Sequence, residues 1–228
     1  MSSPFLEPGH AGARRFAVRP LPGPRILLLV VLTVVAAALL GFAIPDGGVS
    51  GAVSCAVGLL IVHGGMIGAG LIEQHRVHDR GLLLGPTVAG TTPFVIPWST
   101  VDPSSLQVHR RANFIGGRYG PNGLSSNLRM AAYSTSAVSV TGLLPQLASP
   151  RRRKKLLGRL GITSTALWGE VPLPEAPTVR WLMGVRDPEP LARAVEAALV
   201  AAGHPAAQGA ADRALAHPVR EQRQSPRT

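Results

Sequence analysis

The side chains that could do chemistry are concentrated in one strongly basic run. Within residues 151–160 there are six positive side chains and no negative one: Arg151, Arg152, Arg153, Lys154, Lys155 and Arg159. Each Lys or Arg near an anionic leaflet contributes about 1 kcal/mol of attraction, within a screening distance of roughly 8 Å. The run therefore predicts contact with anionic membrane lipids. A merely solvated loop, or binding to nucleic acid or an acidic protein, is the alternative.

The composition of the whole chain narrows these alternatives. The 228 residues carry a net charge of +11, yet only 15% of them are charged and 46% are hydrophobic. Typical soluble domains contain about 25% charged residues, so the chain is not expected to be wholly soluble or wholly disordered. No helix-turn-helix, zinc or aromatic stacking motif accompanies the positive charge, so we do not expect a nucleic-acid partner.

Two histidines three residues apart could in principle bind a metal. His75 and His78 lie beside Glu73 and Asp79, and on a continuing helix the two histidines would share one face. A metal site needs three or four ligands, and His109 could join them only through the fold. We therefore expect solvated residues beside a membrane, and no metal or cofactor.

The sequence shows no catalytic signature. Hydroxyl groups cluster at Ser134, Thr135 and Ser136, but no Gly-x-Ser-x-Gly element surrounds them, and the Gly-Lys-Ser/Thr of a phosphate-binding loop is absent. The single cysteine, Cys55, excludes a disulfide framework or a four-cysteine zinc site within one chain. These observations predict a protein that is not an enzyme.

Two long uncharged segments precede the basic run and are expected to hold the chain at a membrane. Residues 26–44 contain one hydroxyl and no charge, and at 1.5 Å per residue they would span about 28 Å, close to the ~30 Å core of a bilayer. A second uncharged segment, residues 49–72, follows a short turn that begins at Pro45. The pattern predicts a transmembrane hairpin over residues 26–72. A cleaved signal peptide is the alternative for the first segment, although its apolar core is usually only ~7–15 residues long.

Flanking charge predicts the orientation of this hairpin. Arginines precede the first segment and follow the second, at Arg14, Arg15, Arg19 and Arg25 and then at Arg76 and Arg80. The connecting turn has no Lys or Arg. The positive-inside rule then places residues 1–25, a basic N-terminal segment, and the C-terminus in the cytoplasm of a multi-pass cell-membrane protein.

Small residues in the second segment predict close helix packing. Gly51, Gly58, Gly64 and Gly68 have the spacing that lets helix backbones approach in lipid. Packing of the two spans against each other is the expected use of this stripe, and a homo-oligomer interface is the alternative. His63 is expected to be a neutral histidine bonded to the backbone, with a proton relay as the alternative.

The remainder of the chain has the pattern of an α+β domain over residues 73–204. Short apolar or alternating segments at 81–85, 93–98, 105–111, 128–133, 137–143 and 179–185 predict strands. Residues 145–177 form a proline-bounded insertion that holds the basic run. Asp187 and Pro188 then open an amphipathic helix whose apolar face is Leu191, Val195 and Leu199. Residues 205–228 lack a core pattern and are predicted to be a disordered tail.

Three segments resemble the bacterial pleckstrin-homology-like domains found beside transmembrane hairpins in membrane proteins, many of them actinobacterial. These are Phe94-Val95-Ile96-Pro97-Trp98-Ser99, Ala137-Val138-Ser139-Val140, and the closing stretch from Trp181 to Pro188 with its helix. The resemblance implies an antiparallel β-roll or barrel capped by a C-terminal helix. It implies no single ligand, because related domains bind lipids, peptides or proteins.

Together these features predict an integral membrane protein with a non-catalytic interaction or scaffold module at the inner leaflet. The module would bind an unidentified protein or anionic lipid. The alternative function is that of an accessory subunit in a membrane transport or cell-envelope complex.

Overall fold

The computed structural model describes residues 5–45, 47–110, 127–130, 134–152 and 178–220. The α-helices with defined bounds are α1 Pro24–Ala43, α2 Gly48–Ile72, α3 Pro145–Ala148, α4 Pro188–Ala201 and α5 Ala210–Ala216. The strands are β1 Arg14–Val18, β2 Glu73–His78, β3 Gly81–Pro86, β4 Phe94–Pro97, β5 Asp102–Arg110, β6 Asn127–Met130, β7 Ser136–Leu143, β8 Thr178–Val185 and β9 Val219–Arg220. The chain is therefore an α+β protein in which two long apolar helices lie near the N-terminus.

Helices α1 and α2 are each long and apolar enough to cross a membrane, with lengths of 20 and 25 residues. Pro24 lies in the first turn of α1, where its missing N–H costs nothing, and the helix ends before Pro45. Only 6% of each apolar window is buried, so neither helix belongs to the core of the folded part. This excludes the interpretation of the two segments as core helices of a water-soluble domain.

Sheet A contains β1 to β4 in sequence order, and all neighbouring pairs are antiparallel. From the sequence, residues 1–25 are a basic N-terminal segment with no predicted strand, whereas the structure forms β1 at Arg14–Val18. Phe16 and Val18 alternate with Ala17, and they pair with Val77 and His75 of β2 and pack against the core. Upstream of β1, Leu6 and Ala11 pack on the outer face of the sheet. The N-terminal segment thus completes the folded domain.

Sheet B has the order β6-β8-β7-β5-β9. Its three central strands are antiparallel, whereas the edge strands β6 and β9 pair in parallel with β8 and β5. Among the described strands no ladder joins sheet A to sheet B, so the predicted closed barrel is not formed there. Two sheets that share one core replace it.

Two tryptophans and the face of α4 fill this core. The indole Nε1 of Trp98 donates to the carbonyl of His78, and that of Trp181 donates to the carbonyl of Leu143, both at 2.9 Å. These bonds supply the partners that a buried indole N–H requires. Helix α4 begins as predicted, with the Asp187 carboxylate accepting from the Glu189 N–H at 3.1 Å, and it buries its apolar face completely.

The prediction of a disordered tail is wrong for residues 205–220. Helix α5 buries three small side chains, Ala210, Ala211 and Ala214, against the core. The Glu196 carboxylate fixes the start of this helix by accepting from the N–H groups of Gly209 and Ala211, at 2.8 and 2.6 Å. The small alanine side chains let the helix backbone lie close to the core. A segment that is poor in large hydrophobic residues can therefore still pack here. Residues 221–228 lie outside the described residues.

Candidate functional site

The candidate site is the end of sheet A at which both long helices enter the folded part. Helix α2 passes directly into β2, since Ile72 ends the helix and Glu73 begins the strand. Strand β3 returns to this point and ends at Pro86, opposite Glu73. The next residue, Thr87, donates to the Ile72 carbonyl through its backbone N–H at 2.9 Å and its hydroxyl at 3.1 Å. The start of the β3–β4 loop is therefore held against the last residue of α2.

Helix α1 joins the same end of the sheet. Strand β1 ends at Val18, opposite His75, and residues 19–23 connect it to α1. Arg19 in this connection and Arg25 at the start of α1 are both exposed. Two positive side chains therefore lie on the β1 side of the junction.

The beginning of the basic run lies on the β4 side of the same junction. The Arg152 guanidinium is 5.3 Å from the centre of the Phe94 ring, a cation–π contact, and Phe94 in turn packs against Trp181 with ring centres 5.1 Å apart. Phe94 pairs with Leu84, which pairs with His75, three residues along β2 from Ile72. At 3.3 Å per residue this places the Phe94 level about 10 Å from the end of α2.

The structure thus brings the first two residues of the predicted basic site to the end of sheet A at which the two long helices attach. Arg151 and Arg152 are exposed there, preceded by α3, which packs against β4. The other four residues of the predicted site, Arg153, Lys154, Lys155 and Arg159, lie outside the described residues. An exposed cation–π contact contributes about 0.5–1 kcal/mol, and this favours the position of Arg152 beside Phe94.

The two histidines beside α2 do not share a face, because residues 73–78 form a strand and not a continuing helix. His75 points into the core and donates through Nε2 to the Gly184 carbonyl at 3.0 Å, whereas His78 contacts the Gly12 carbonyl through Nδ1 at 3.0 Å. Burial lowers the pKa of His75 to about 4, so its imidazole is neutral at physiological pH. Within the described part of the chain, no three His, Cys, Asp or Glu side chains are grouped as metal ligands would be.

Glu73 lies at the junction, and in the sequence analysis it is named only as a neighbour of the two histidines. Burial raises the pKa of its carboxyl to about 7, and its Oε1 is buried without a hydrogen-bond partner. The side chain also follows the C-terminus of α2, where the helix dipole disfavours negative charge. An acidic residue directly after a long apolar helix was the signal available in the sequence. Its low charge reduces repulsion between the junction and an anionic surface.

A second polar pair lies in sheet B. His109 Nε2 and Ser139 Oγ are 2.8 Å apart, and burial together with the nearby Arg180 lowers the pKa of His109 to about 4. The distance fits a nucleophile and its base, but Ser139 is completely buried and offers no path for a substrate. We interpret the pair as a structural hydrogen bond between β5 and β7.

Within the hairpin, the helices approach most closely at two glycines. A Cβ added to Gly41 would lie 2.4 Å from the Gly51 carbonyl oxygen, and one added to Gly51 would lie 2.3 Å from the Gly41 oxygen. In contrast, Cβ atoms added to Gly58, Gly64 or Gly68 would meet no atom within 4 Å. Of the predicted packing stripe, only Gly51 is used between α1 and α2. Farther along the pair, Thr33 Oγ1 lies 3.4 Å from His63 Nε2.

Replacing Gly41 by leucine is expected to destabilise the hairpin, because the new side chain collides with backbone that cannot move without separating the helices. Overpacking of this kind costs about 1–3 kcal/mol. Thermal unfolding of the full chain in a mild detergent, with Gly58→Leu as the matched control, measures the effect. Equal melting temperatures for the two variants would show that the glycine contact does not hold the helices together.

Comparison of the chain with protein-family models, curated proteins and solved structures gave no match. The assignment of a function therefore depends on the geometry of the junction.

Proposed function

We propose that this chain is an integral protein of the cell membrane, crossing the bilayer as the α1–α2 hairpin with both termini in the cytoplasm. The observation that carries the proposal is the attachment of two exposed apolar helices to one end of a folded domain, α2 directly and α1 through residues 19–23. Exposed arginines lie at this end, on the β1 side at Arg19 and Arg25 and on the β4 side at Arg151 and Arg152. Positive residues at the cytoplasmic ends of spans are the usual arrangement.

We propose further that the folded part is a pleckstrin-homology-like module that binds other molecules and performs no reaction. Two largely antiparallel sheets with a shared core, covered by the amphipathic helix α4, support this proposal. The resemblance of the Phe94–Ser99 segment and of the β8–α4 connection adds to it. Such a module would act as a scaffold at the inner leaflet and bind a protein or anionic lipid there.

The membrane topology is tested by labelling single cysteines in intact cells with a membrane-impermeant maleimide. Arg80 and Val200 are exposed positions of the folded part at which a cysteine can be placed, in a Cys55→Ser background. We expect no labelling until the cells are permeabilised. Labelling of either position in intact cells would place the domain outside and overturn the proposal.

Anionic lipid is expected to bind more weakly when Arg152, which contacts Phe94, and its neighbour Arg151 lose their charge. At about 1 kcal/mol per residue near the surface, Arg151→Gln with Arg152→Gln should weaken phosphatidylglycerol binding by about 30-fold. Native mass spectrometry of the full chain in detergent, titrated with phosphatidylglycerol or phosphatidylcholine, measures the change.

The matched control is the pair Arg14→Gln with Arg80→Gln, two exposed arginines toward the opposite end of sheet A. It should bind phosphatidylglycerol as the wild type does. Equal binding of the two lipids by the wild type, or equal losses in the two double variants, would exclude a lipid site at the junction.

The alternative function, an accessory subunit of a transport or cell-envelope complex, is favoured by one observation. Helix α1 leaves the Gly58, Gly64 and Gly68 stretch of α2 uncovered, so a span of another protein or of a second copy could pack there. A stoichiometric multi-span partner after purification in mild detergent would support this function. A homo-oligomer would support the self-association alternative.

A further inference from the structure

The loop between β3 and β4 is held in a defined shape beside the end of α2. In addition to the two bonds from Thr87 to the Ile72 carbonyl, the Thr91 N–H and hydroxyl both donate to the Val88 carbonyl, at 3.1 and 2.5 Å. The Thr91 hydroxyl also lies 3.3 Å from the Pro86 carbonyl oxygen. Gly90 adopts a positive φ of 81°, which closes the turn. The loop therefore has a compact, hydrogen-bonded shape, and its first residue is fixed next to Ile72.

The tip of this loop is uncharged and apolar. Residues 87–93 contain no acidic or basic side chain, and Val88 is 48% exposed. The hydroxyls of Thr87 and Thr91 are hydrogen-bonded to backbone carbonyls, so they require little water. Val88 lies between two threonines whose hydroxyls are already hydrogen-bonded to the backbone. Moving this part of the loop out of water therefore costs little free energy.

The position of the loop relative to α2 identifies that environment. If Ile72 is the last residue of a span, as in the proposed function on which this inference rests, Thr87 lies at the depth of the headgroups and Val88 follows it directly. The positive side chains of Arg151 and Arg152 lie near the far end of the loop, where Phe94 begins β4. An apolar tip next to cations matches the boundary between acyl chains and anionic headgroups.

We propose that the β3–β4 loop is a third membrane contact, with Val88 inserted at the headgroup–acyl boundary and Arg151 and Arg152 bound to lipid phosphates beside it. With the entries of α1 and α2, this contact gives sheet A three points of attachment to one leaflet. Three points define a plane, so the domain is held in one orientation on the bilayer.

The test is depth-dependent fluorescence quenching in vesicles. Single cysteines are placed at Val88, at Leu60 in the middle of α2, and at Arg80 at the opposite end of sheet A, all in the full chain with Cys55→Ser. Each is labelled with bimane and reconstituted in phosphatidylcholine vesicles containing phosphatidylglycerol and brominated lipid. We expect loss of fluorescence at position 88 with bromine near the headgroup, loss at position 60 with bromine deep in the chain, and no loss at position 80.

The outcomes separate this inference from the proposed function. Quenching at 60 without quenching at 88 overturns the loop contact and leaves the membrane hairpin intact. Absence of quenching at 60 overturns the membrane hairpin itself. Adding Arg151→Gln and Arg152→Gln to the Val88 label should reduce its quenching in anionic vesicles, and an unchanged signal would overturn the role assigned to the arginines.

Discussion

Replacing Trp181 by alanine is expected to lower the free energy of unfolding by about 3–5 kcal/mol, the range for large aromatic residues in a core. The side chain is completely buried, and its indole N–H satisfies the Leu143 carbonyl at 2.9 Å. Its ring also packs against the Phe94 ring, which makes the cation–π contact with Arg152. The substitution therefore removes core volume and the indole donor to a buried carbonyl, and it removes the ring against which Phe94 packs.

Chemical unfolding of the full chain in detergent, followed by circular dichroism, measures this loss. Trp181→Phe separates the contributions, because it keeps an aromatic ring but removes the donor, and it should cost about 1–3 kcal/mol. Val200→Ala, at an exposed position of α4, should change stability by no more than about 0.5 kcal/mol. If Trp181→Ala unfolded at the same denaturant concentration as Val200→Ala, the core described here would be wrong.

Acidification is expected to destabilise the folded domain between pH 6.5 and about 4. The pKa values of His75 and His109 are lowered to about 4 by burial, from 6.5 in the unfolded chain. Within this window the unfolded state binds more protons than the folded state, so stability falls as the pH falls. Each histidine can account for a loss of about 3 kcal/mol at the acid end, and for none of the pH dependence above pH 6.5.

Glu73 is expected to oppose this trend. The pKa of its carboxyl is raised to about 7 from 4.5, so the folded state binds the extra proton between these values and stability falls as the pH rises. Unfolding midpoints measured from pH 4 to 8 separate the two contributions. His75→Gln should flatten the acid side, whereas Glu73→Gln should stabilise the protein at pH 8 and have little effect at pH 4. A profile in which His75→Gln left the acid loss unchanged would contradict the assignment.

The features predicted correctly are those that depend on neighbouring residues. Alternation at Val138 and Val140 predicted β7, and the Asp187-Pro188 pair predicted the start of α4, because strand periodicity and helix capping are local properties. The two apolar helices were found within two residues of their observed bounds for the same reason. Local patterns therefore sufficed for most elements of the fold.

The features that were missed depend on partners far away in the chain. The short segment Arg14–Val18 becomes a strand only because β2, some sixty residues later, offers an edge for pairing. The position of Arg152 depends on Phe94, and the position of the β3–β4 loop depends on the Ile72 carbonyl. The sequence predicts that the positive charge flanks the hairpin on its cytoplasmic side, and that orientation stays a prediction. The position of Arg152 beside Phe94 follows from the fold and not from local sequence.

The absence of a linker between α2 and β2 has a mechanical consequence. Helix α1 spans about 30 Å and α2 about 37 Å, so in a bilayer with a core of ~30 Å the longer helix must lean. Strand β2 is hydrogen-bonded to β1 on one side and to β3 on the other. A change in the tilt of α2 is therefore transmitted to the whole of sheet A. If the chain spans a membrane as proposed, a change in bilayer thickness would change the lean of α2 and, through β2, the orientation in which the domain is held.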